Sequence, residues 1–231
     1  MSALRTVAGS LLPLSAKHAV RRVLHRPSDN ARRYLPRGRS VDEFLSALTD
    51  VGARYAVLRW FETLPEVEAG NDIDMLVADE HLPVVEALLT PYRPYADAQK
   101  IDLYTAGGLP RTQFGGAPYL SRPLADGLLE RAVLLKDRYR VPAAPDHFDS
   151  LAFHAVHHKG VVSGLPARAD EGDDAPHGKI PEALDRLRQQ LGLQVELTLE
   201  GLARYLGDRG LAPDTAAAAR YAAMRNRLYE E

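Results

Sequence analysis

Three aspartates have neighbours and spacing that suit metal-assisted chemistry on a β-sheet. Asp72 and Asp74 flank one residue at the start of the apolar run 72–77, and Asp102 lies in the alternating run 100–104. Because successive strand side chains point to opposite faces, Asp72 and Asp74 share a face. Neighbouring carboxylates repel and aspartate is disfavoured in strands, a penalty that a bound divalent cation removes. The pattern predicts a Mg²⁺ or Mn²⁺ site; the alternative is a polar strand end facing water.

A divalent cation at such a site can assist phosphoryl transfer. Hard oxygen ligands hold the cation, which neutralises triphosphate oxygens while the α-phosphorus is attacked. The third carboxylate, Asp102, could bind a second metal ion or accept the proton of the attacking hydroxyl.

A second candidate cluster contains His154, His157, His158 and Lys159. On a helix His154 and His158 share a face and could hold zinc, although the internal glutamate of the protease signature is missing. A second possibility is that the cluster supplies positive charge to a phosphate or acceptor site opposite the aspartates. The third is a plain helix end, with His and Lys in the last turn and Gly160 as its cap.

The elements that must position these residues follow from periodicity. Ser40 and Glu43 form a capping box before a helix, and 55–58, 72–77 and 100–104 have strand patterns. Further helices are predicted over 80–89, 124–136, 146–159 with Asp146 as N-cap, 181–191, 197–206 and 214–229. The expected fold class is α+β, a small mixed β-sheet with helices against one face, followed by a helical C-terminal region.

The predicted domain organisation has three parts. Residues 1–39 form a basic arm and linker, 40–110 the α/β core, and 111–231 a mostly helical region with a mobile loop at about 163–179. The first 40 residues hold nine Lys and Arg against one acidic residue, whereas the remainder holds 20 basic and 30 acidic residues. A basic amphipathic helix at 15–25 could contact an anionic membrane surface or a protein partner weakly, or pack on its own acidic body.

Composition excludes several functional classes. The chain of 231 residues has no cysteine, which excludes disulfides, thiol catalysis and cysteine-ligated zinc. No apolar run approaches the roughly 20 residues that span a bilayer, and no signal peptide is recognised. We therefore expect a cytoplasmic protein, peripheral at the membrane if the arm binds there. No specific nucleic acid is expected, because the body is acidic and no recognition motif follows the arm.

The order of strand 55–58, loop, Asp72 and Asp74, and then Asp102 resembles the nucleotidyltransferase superfamily with the polymerase-beta-like fold. Leu58-Arg59 resembles the end of the first strand in its poorly characterised bacterial branch, and the resemblance covers about residues 41–105. It implies a nucleotidyltransferase-like core in which the three aspartates bind metal and catalyse transfer of a nucleoside monophosphate from a nucleoside triphosphate, with ATP expected, to an unknown acceptor.

The chain departs from that family directly after the first strand. The family usually has Gly-Ser or Gly-Gly there to cradle the triphosphate, whereas this chain has Arg59-Trp60. Arginine can bind phosphate bidentately, but tryptophan cannot copy the close backbone approach of glycine. Arg59 and Trp60 remain candidates for nucleotide or acceptor binding, with Trp60 able to stack on a base. Two alternatives stay open: a non-catalytic binding protein on the same fold, and a His-based metallohydrolase.

Overall fold

The computed structural model describes residues 31–68, 70–169 and 176–229. Its strands are β1 (Arg32–Tyr34), β2 (Tyr55–Val57), β3 (Ile73–Val77), β4 (Lys100–Thr105), β5 (Val133–Leu135) and β6 (Tyr139–Val141). Its α-helices are α1 (Val41–Asp50), α2 (Leu82–Ala87), α3 (Arg122–Glu130), α4 (Ala144–Phe153), α5 (Lys179–Leu191), α6 (Leu199–Asp208) and α7 (Thr215–Tyr229). Asp79–His81 and Gly160–Ser163 are 3-10 turns, and His154–Lys159 is a π-helical turn that continues α4.

Four strands form the sheet that carries the aspartates. Their order is β1-β4-β3-β2, with β2 antiparallel to β3, β3 parallel to β4 and β1 antiparallel to β4. This arrangement confirms the α+β class, the mixed sheet and the three predicted strands. The capping box is also confirmed, since Ser40 Oγ accepts from the Glu43 amide and Glu43 Oε2 accepts from the Ser40 amide.

Both faces of this sheet are covered, whereas helices were expected against one face only. Met75 and Leu103 face α1 and α2, where their partners include Phe44 and Val85. The other face, which carries Leu76 and the two strand aspartates, packs against the C-terminal helices; its apolar members include Ala56, Tyr104, Leu128, Phe148, Leu184 and Leu202. The helical region therefore lies directly over the carboxylates.

Several local predictions differ from the structure. The segment read as a linker contributes β1, in which Arg33 is buried and pairs with Glu86 at 2.7 Å. The helix expected over 124–136 ends at Glu130 and is followed by the β5–β6 hairpin. Asp146 does not cap α4, which begins after Ala143; its Oδ1 accepts instead from Arg131 Nη2 at 2.5 Å.

Two predictions fall partly or wholly outside the described residues. The amphipathic helix predicted at 15–25 lies in the N-terminal segment that the structure does not describe. Residues 170–175 of the loop expected at 163–179 are also outside the described ranges. Within the described ranges, no helix has the length and apolarity required to cross a membrane.

Candidate functional site

The strand register places two of the predicted aspartates beside each other. Asp74 on β3 is the direct partner of Asp102 on β4, and because the strands are parallel both side chains point to the face under the C-terminal helices. Asp72 precedes β3 by one residue and shares that face. The period-two argument thus identified a real carboxylate cluster.

Basic side chains already balance this cluster. Arg32 on β1 lies between two of the carboxylates, with Nη2 3.2 Å from Asp72 Oδ2 and Nε 3.2 Å from Asp102 Oδ1. Lys100 Nζ lies 2.5 Å from the other Asp72 oxygen. The Arg32 guanidinium therefore bridges two carboxylates as a single cation would.

Asp74 has a different, buried partner. Arg59 Nη2 lies 2.7 Å from Asp74 Oδ2, and the two side chains are only 11% and 12% exposed. Burial raises the pKa of Asp74 to about 6; Arg59 opposes that shift, while Asp102 and Asp72 add to it. Burial is the largest single influence on Arg59 and lowers its pKa, but the combined effect of the Asp74 carboxylate, Tyr119 and Tyr104 raises that pKa above its usual value, so Arg59 stays charged.

A buried hydrogen-bond chain fixes the guanidinium of Arg59. Arg59 Nη1 donates to Tyr119 Oη at 2.7 Å, and Tyr119 Oη lies 2.8 Å from His154 Nδ1. Since the hydroxyl accepts from arginine, its own hydrogen is available to His154, which makes Nδ1 the acceptor. Burial lowers the pKa of His154 well below its usual range, so this histidine is neutral.

His157 and His158 have the surroundings of core histidines. The ring of His158 lies 4.4 Å from that of Phe114 and 4.3 Å from that of Tyr119, and burial lowers its pKa well below the usual range. Burial likewise lowers the pKa of His157 to about 4. Both are neutral, so neither supplies the positive charge that the sequence suggested for them.

The end of this helical segment is as expected. Gly160 follows the π-helical turn with φ 60°, and a Cβ there would lie 2.9 Å from Arg225 Cδ. Glycine is therefore favoured by the backbone conformation, and a larger residue would also require the Arg225 side chain of α7 to move. The turn directs Lys159 toward the carboxylates, whose charge it influences at Asp74.

One cleft joins the two predicted clusters. It has a volume of about 490 Å³ and is lined from the sheet side by Arg59, Trp60, Asp72 and Asp74. The C-terminal region completes the lining with His154, Lys159, Val162, Ser163, Lys179 and Ile180. Carboxylates and amino groups thus meet in one space. Three predicted site residues, Asp102, His157 and His158, are not among those that line it.

Sequence reasoning missed three members of this site. Arg32 was assigned to a linker, and Tyr119 was not among the candidate site residues. Lys100 could have been predicted from the sequence, because it lies two positions from Asp102 in a strand and its side chain must therefore share the face of Asp102. No comparable local signal marks Arg32 or Tyr119, whose partners are 70 and 35 residues away.

The donor chemistry of the cluster fits a hard divalent cation. Asp72 and Asp102 offer carboxylate oxygens, and a bridging cation, Arg32, already stands between them. In the described parts of the chain, no group of three or more His, Asp or Glu side chains is arranged for a metal ion. A metal ion would have to displace Arg32 and Lys100, whose side chains are 41% and 27% exposed and can turn into solvent.

Comparisons with protein-family models, with curated proteins and with solved structures found no match to this chain.

Proposed function

We propose that this protein is a metal-dependent nucleotidyltransferase that moves a nucleoside monophosphate from a nucleoside triphosphate, with ATP expected, to an acceptor. The observation that carries the proposal is the cleft in which Asp72 and Asp74 meet Lys159 and Lys179. A metal–triphosphate complex needs both carboxylate oxygens for its cation and basic groups for its phosphates.

The fold is consistent with that proposal at the level of element order. A capped helix, two antiparallel strands, a short helix and a parallel strand with its single aspartate follow one another as in the nucleotidyltransferase-like core. Residues 41–105, on which the resemblance rests, include every strand of the sheet except β1.

Each residue has a role in the proposed reaction. Asp72, Asp74 and Asp102 would hold Mg²⁺ or Mn²⁺, which when bound neutralises the triphosphate and favours attack at the α-phosphorus. Asp102 is also the candidate to accept the proton of the acceptor hydroxyl. Lys159 supplies positive charge from the helical side, and Arg59, held by Tyr119, fixes the position of Asp74.

Pyrophosphate release tests this function. The full chain is incubated with Mn²⁺, each nucleoside triphosphate and a pool of small-molecule acceptors, and pyrophosphate is measured. We expect release by the parent protein and its loss in Asp72→Asn. The matched control is Asp79→Asn, which removes an aspartate that pairs with Arg122 outside the cleft. Equal release by Asp72→Asn and the parent would contradict the proposed role of the cluster.

A non-catalytic binding protein on the same fold is the second candidate. The observation that favours it is that all three aspartates are already paired with arginine or lysine, so the cluster is balanced without a metal ion. Nucleotide binding that persists in Asp102→Asn, without pyrophosphate release by the parent protein, would support this candidate.

The geometry gives no support to a His-based metallohydrolase. His154 Nδ1 accepts from Tyr119 and lies 3.3 Å from His158 Nδ1, and both rings are buried. Zinc hydrolysis that depends on His154 and His158 is therefore not proposed.

A further inference from the structure

A second, smaller cavity adjoins the carboxylate cleft. Its volume is about 190 Å³, and it lies between β2, β3 and the loop that connects them. Residues common to the linings of both spaces are Arg59, Trp60, Asn71, Asp72 and Lys179. One elongated ligand could therefore occupy both spaces.

The lining of this cavity differs in chemistry from that of the cleft. Val57, Leu64, Val67 and Ile73 give it an apolar interior, and Trp60 adds an aromatic side chain. Glu62, Thr63, Glu68 and Asn71 add polar groups, and the charged Arg59, Asp72 and Lys179 line the side shared with the cleft. An apolar and aromatic wall that faces hydrogen-bonding groups such as Thr63 and Asn71 suits a flat heterocycle with a polar edge better than it suits phosphate.

Trp60 is held at the junction by an unusual backbone conformation. Its φ is 55°, in the left-handed region that non-glycine residues seldom adopt. Its side chain is half-buried and packs against the core under the C-terminal helices. A strained backbone that presents an aromatic residue to a cavity is typical of a functional position.

We propose that this cavity, the Trp60 pocket, binds the base of a nucleoside triphosphate whose phosphates lie in the adjoining cleft. The inference rests on the proposed function and extends it by assigning the base a place. The two spaces together fall in the range of about 300–1,000 Å³ that ligand pockets usually have. The smaller one has room for a single ring system, and aromatic side chains bind bases by stacking with little preference among them.

The protein carries its own probe for this pocket. Trp60 is the chain's single tryptophan, so intrinsic tryptophan fluorescence reports on this position alone. The experiment titrates the full chain with ATP or with inorganic tripolyphosphate in the presence of Mg²⁺. Fluorescence monitors the pocket, and calorimetry measures binding of each ligand.

We expect ATP to quench the fluorescence of Trp60. ATP should also bind more tightly than tripolyphosphate, by roughly 10-fold or more, because stacking of one base on an aromatic side chain contributes a free energy of that size. Val67→Phe adds a ring inside the pocket. It should lower the affinity for ATP by a similar factor and leave the affinity for tripolyphosphate unchanged. Val133→Phe makes the same change on β5, away from both spaces, and should alter neither. Trp60→Ala, which removes the ring, supplies an independent variant if Val67→Phe folds poorly.

Two results would overturn the proposal in distinguishable ways. If ATP binds but does so no better than tripolyphosphate, and Trp60→Ala leaves its affinity unchanged, the base lies elsewhere while nucleotide binding stands. If neither ligand binds the parent protein, the proposed function fails and the pocket assignment fails with it.

Discussion

Removal of the Arg32 guanidinium should tighten metal binding. Arg32 bridges Asp72 and Asp102 through two contacts of 3.2 Å, in the position that a cation shared by these carboxylates would take. A divalent ion must displace this side chain before it can bind both carboxylates. Arg32→Met keeps much of the length of the side chain and removes the competing charge.

The size of the effect follows from the exposure of the ion pairs. The Arg32 side chain is 41% exposed, and ion pairs of this kind contribute about 0.2–1 kcal/mol each. Displacing both costs the metal ion about 0.4–2 kcal/mol, which Arg32→Met removes. Because about 1.4 kcal/mol corresponds to a factor of ten, the variant should bind Mn²⁺ roughly 2- to 30-fold more tightly.

Calorimetric titration with Mn²⁺ measures this gain directly, and the rise of the melting temperature with Mn²⁺ provides a second measure. Arg54→Met is the matched control, since Arg54 is 48% exposed and pairs with Glu80 at 3.1 Å away from the cluster. Unchanged or weaker Mn²⁺ binding by Arg32→Met would refute the reasoning. The carboxylates would then not be the metal ligands, or the guanidinium would not compete for them.

Three further predictions concern stability and use urea unfolding. Burial lowers the pKa of His157 to about 4, so the unfolded chain binds the proton more readily and stability falls as pH drops from about 6.5 to 4. His157→Phe should reduce the fall in unfolding free energy between pH 6.5 and 4 by about 3 kcal/mol. If the variant loses as much stability as the parent protein over this pH range, the prediction is wrong. Arg59→Met should lower the free energy of unfolding by about 3–5 kcal/mol at pH 7, because it leaves the buried Asp74 carboxylate without its partner. The double variant Arg59→Met/Asp74→Asn should recover part of that loss. If the two substitutions destabilise the protein additively, Arg59 and Asp74 are not coupled. Ser40→Ala should cost about 1 kcal/mol through the lost cap, and no change would show that the capping box is not stabilising.

Local patterns were sufficient for the elements nearest the aspartates. Asp72, Asp74 and Asp102 could be placed on one sheet face because strand geometry alternates at every residue. The capping box at Ser40 depends on contacts three residues apart, which are visible in sequence. The β5–β6 hairpin was missed because its first strand, Val133–Leu135, continues an apolar helical pattern without a break.

Longer-range features could not be read in the same way. β1 has only three residues, two of them arginines, and it is a strand because it pairs with the edge of β4. The series of hydrogen bonds from Arg59 through Tyr119 to His154 forms only after the C-terminal helices have packed over the sheet. Local propensity contains no information about such packing, and for that reason the helical region was predicted without its contact to the carboxylates.

The Arg59-Trp60 dipeptide now has a physical interpretation that the resemblance alone did not supply. Glycine at the position of Trp60 would reach φ 55° without strain, so this chain keeps a glycine-like turn while adding a side chain to it. The added ring lines the cavity beside the cleft, and the neighbouring guanidinium pairs with Asp74 instead of remaining available to phosphate. A triphosphate bound as proposed would therefore meet positive charge mainly from the helical side, where Lys159 and Lys179 line the cleft. Under the proposed function, lysine side chains would bind the phosphates that a Gly-Ser loop binds in the superfamily that the core resembles, and this arrangement would suit either transfer or simple binding of a nucleotide.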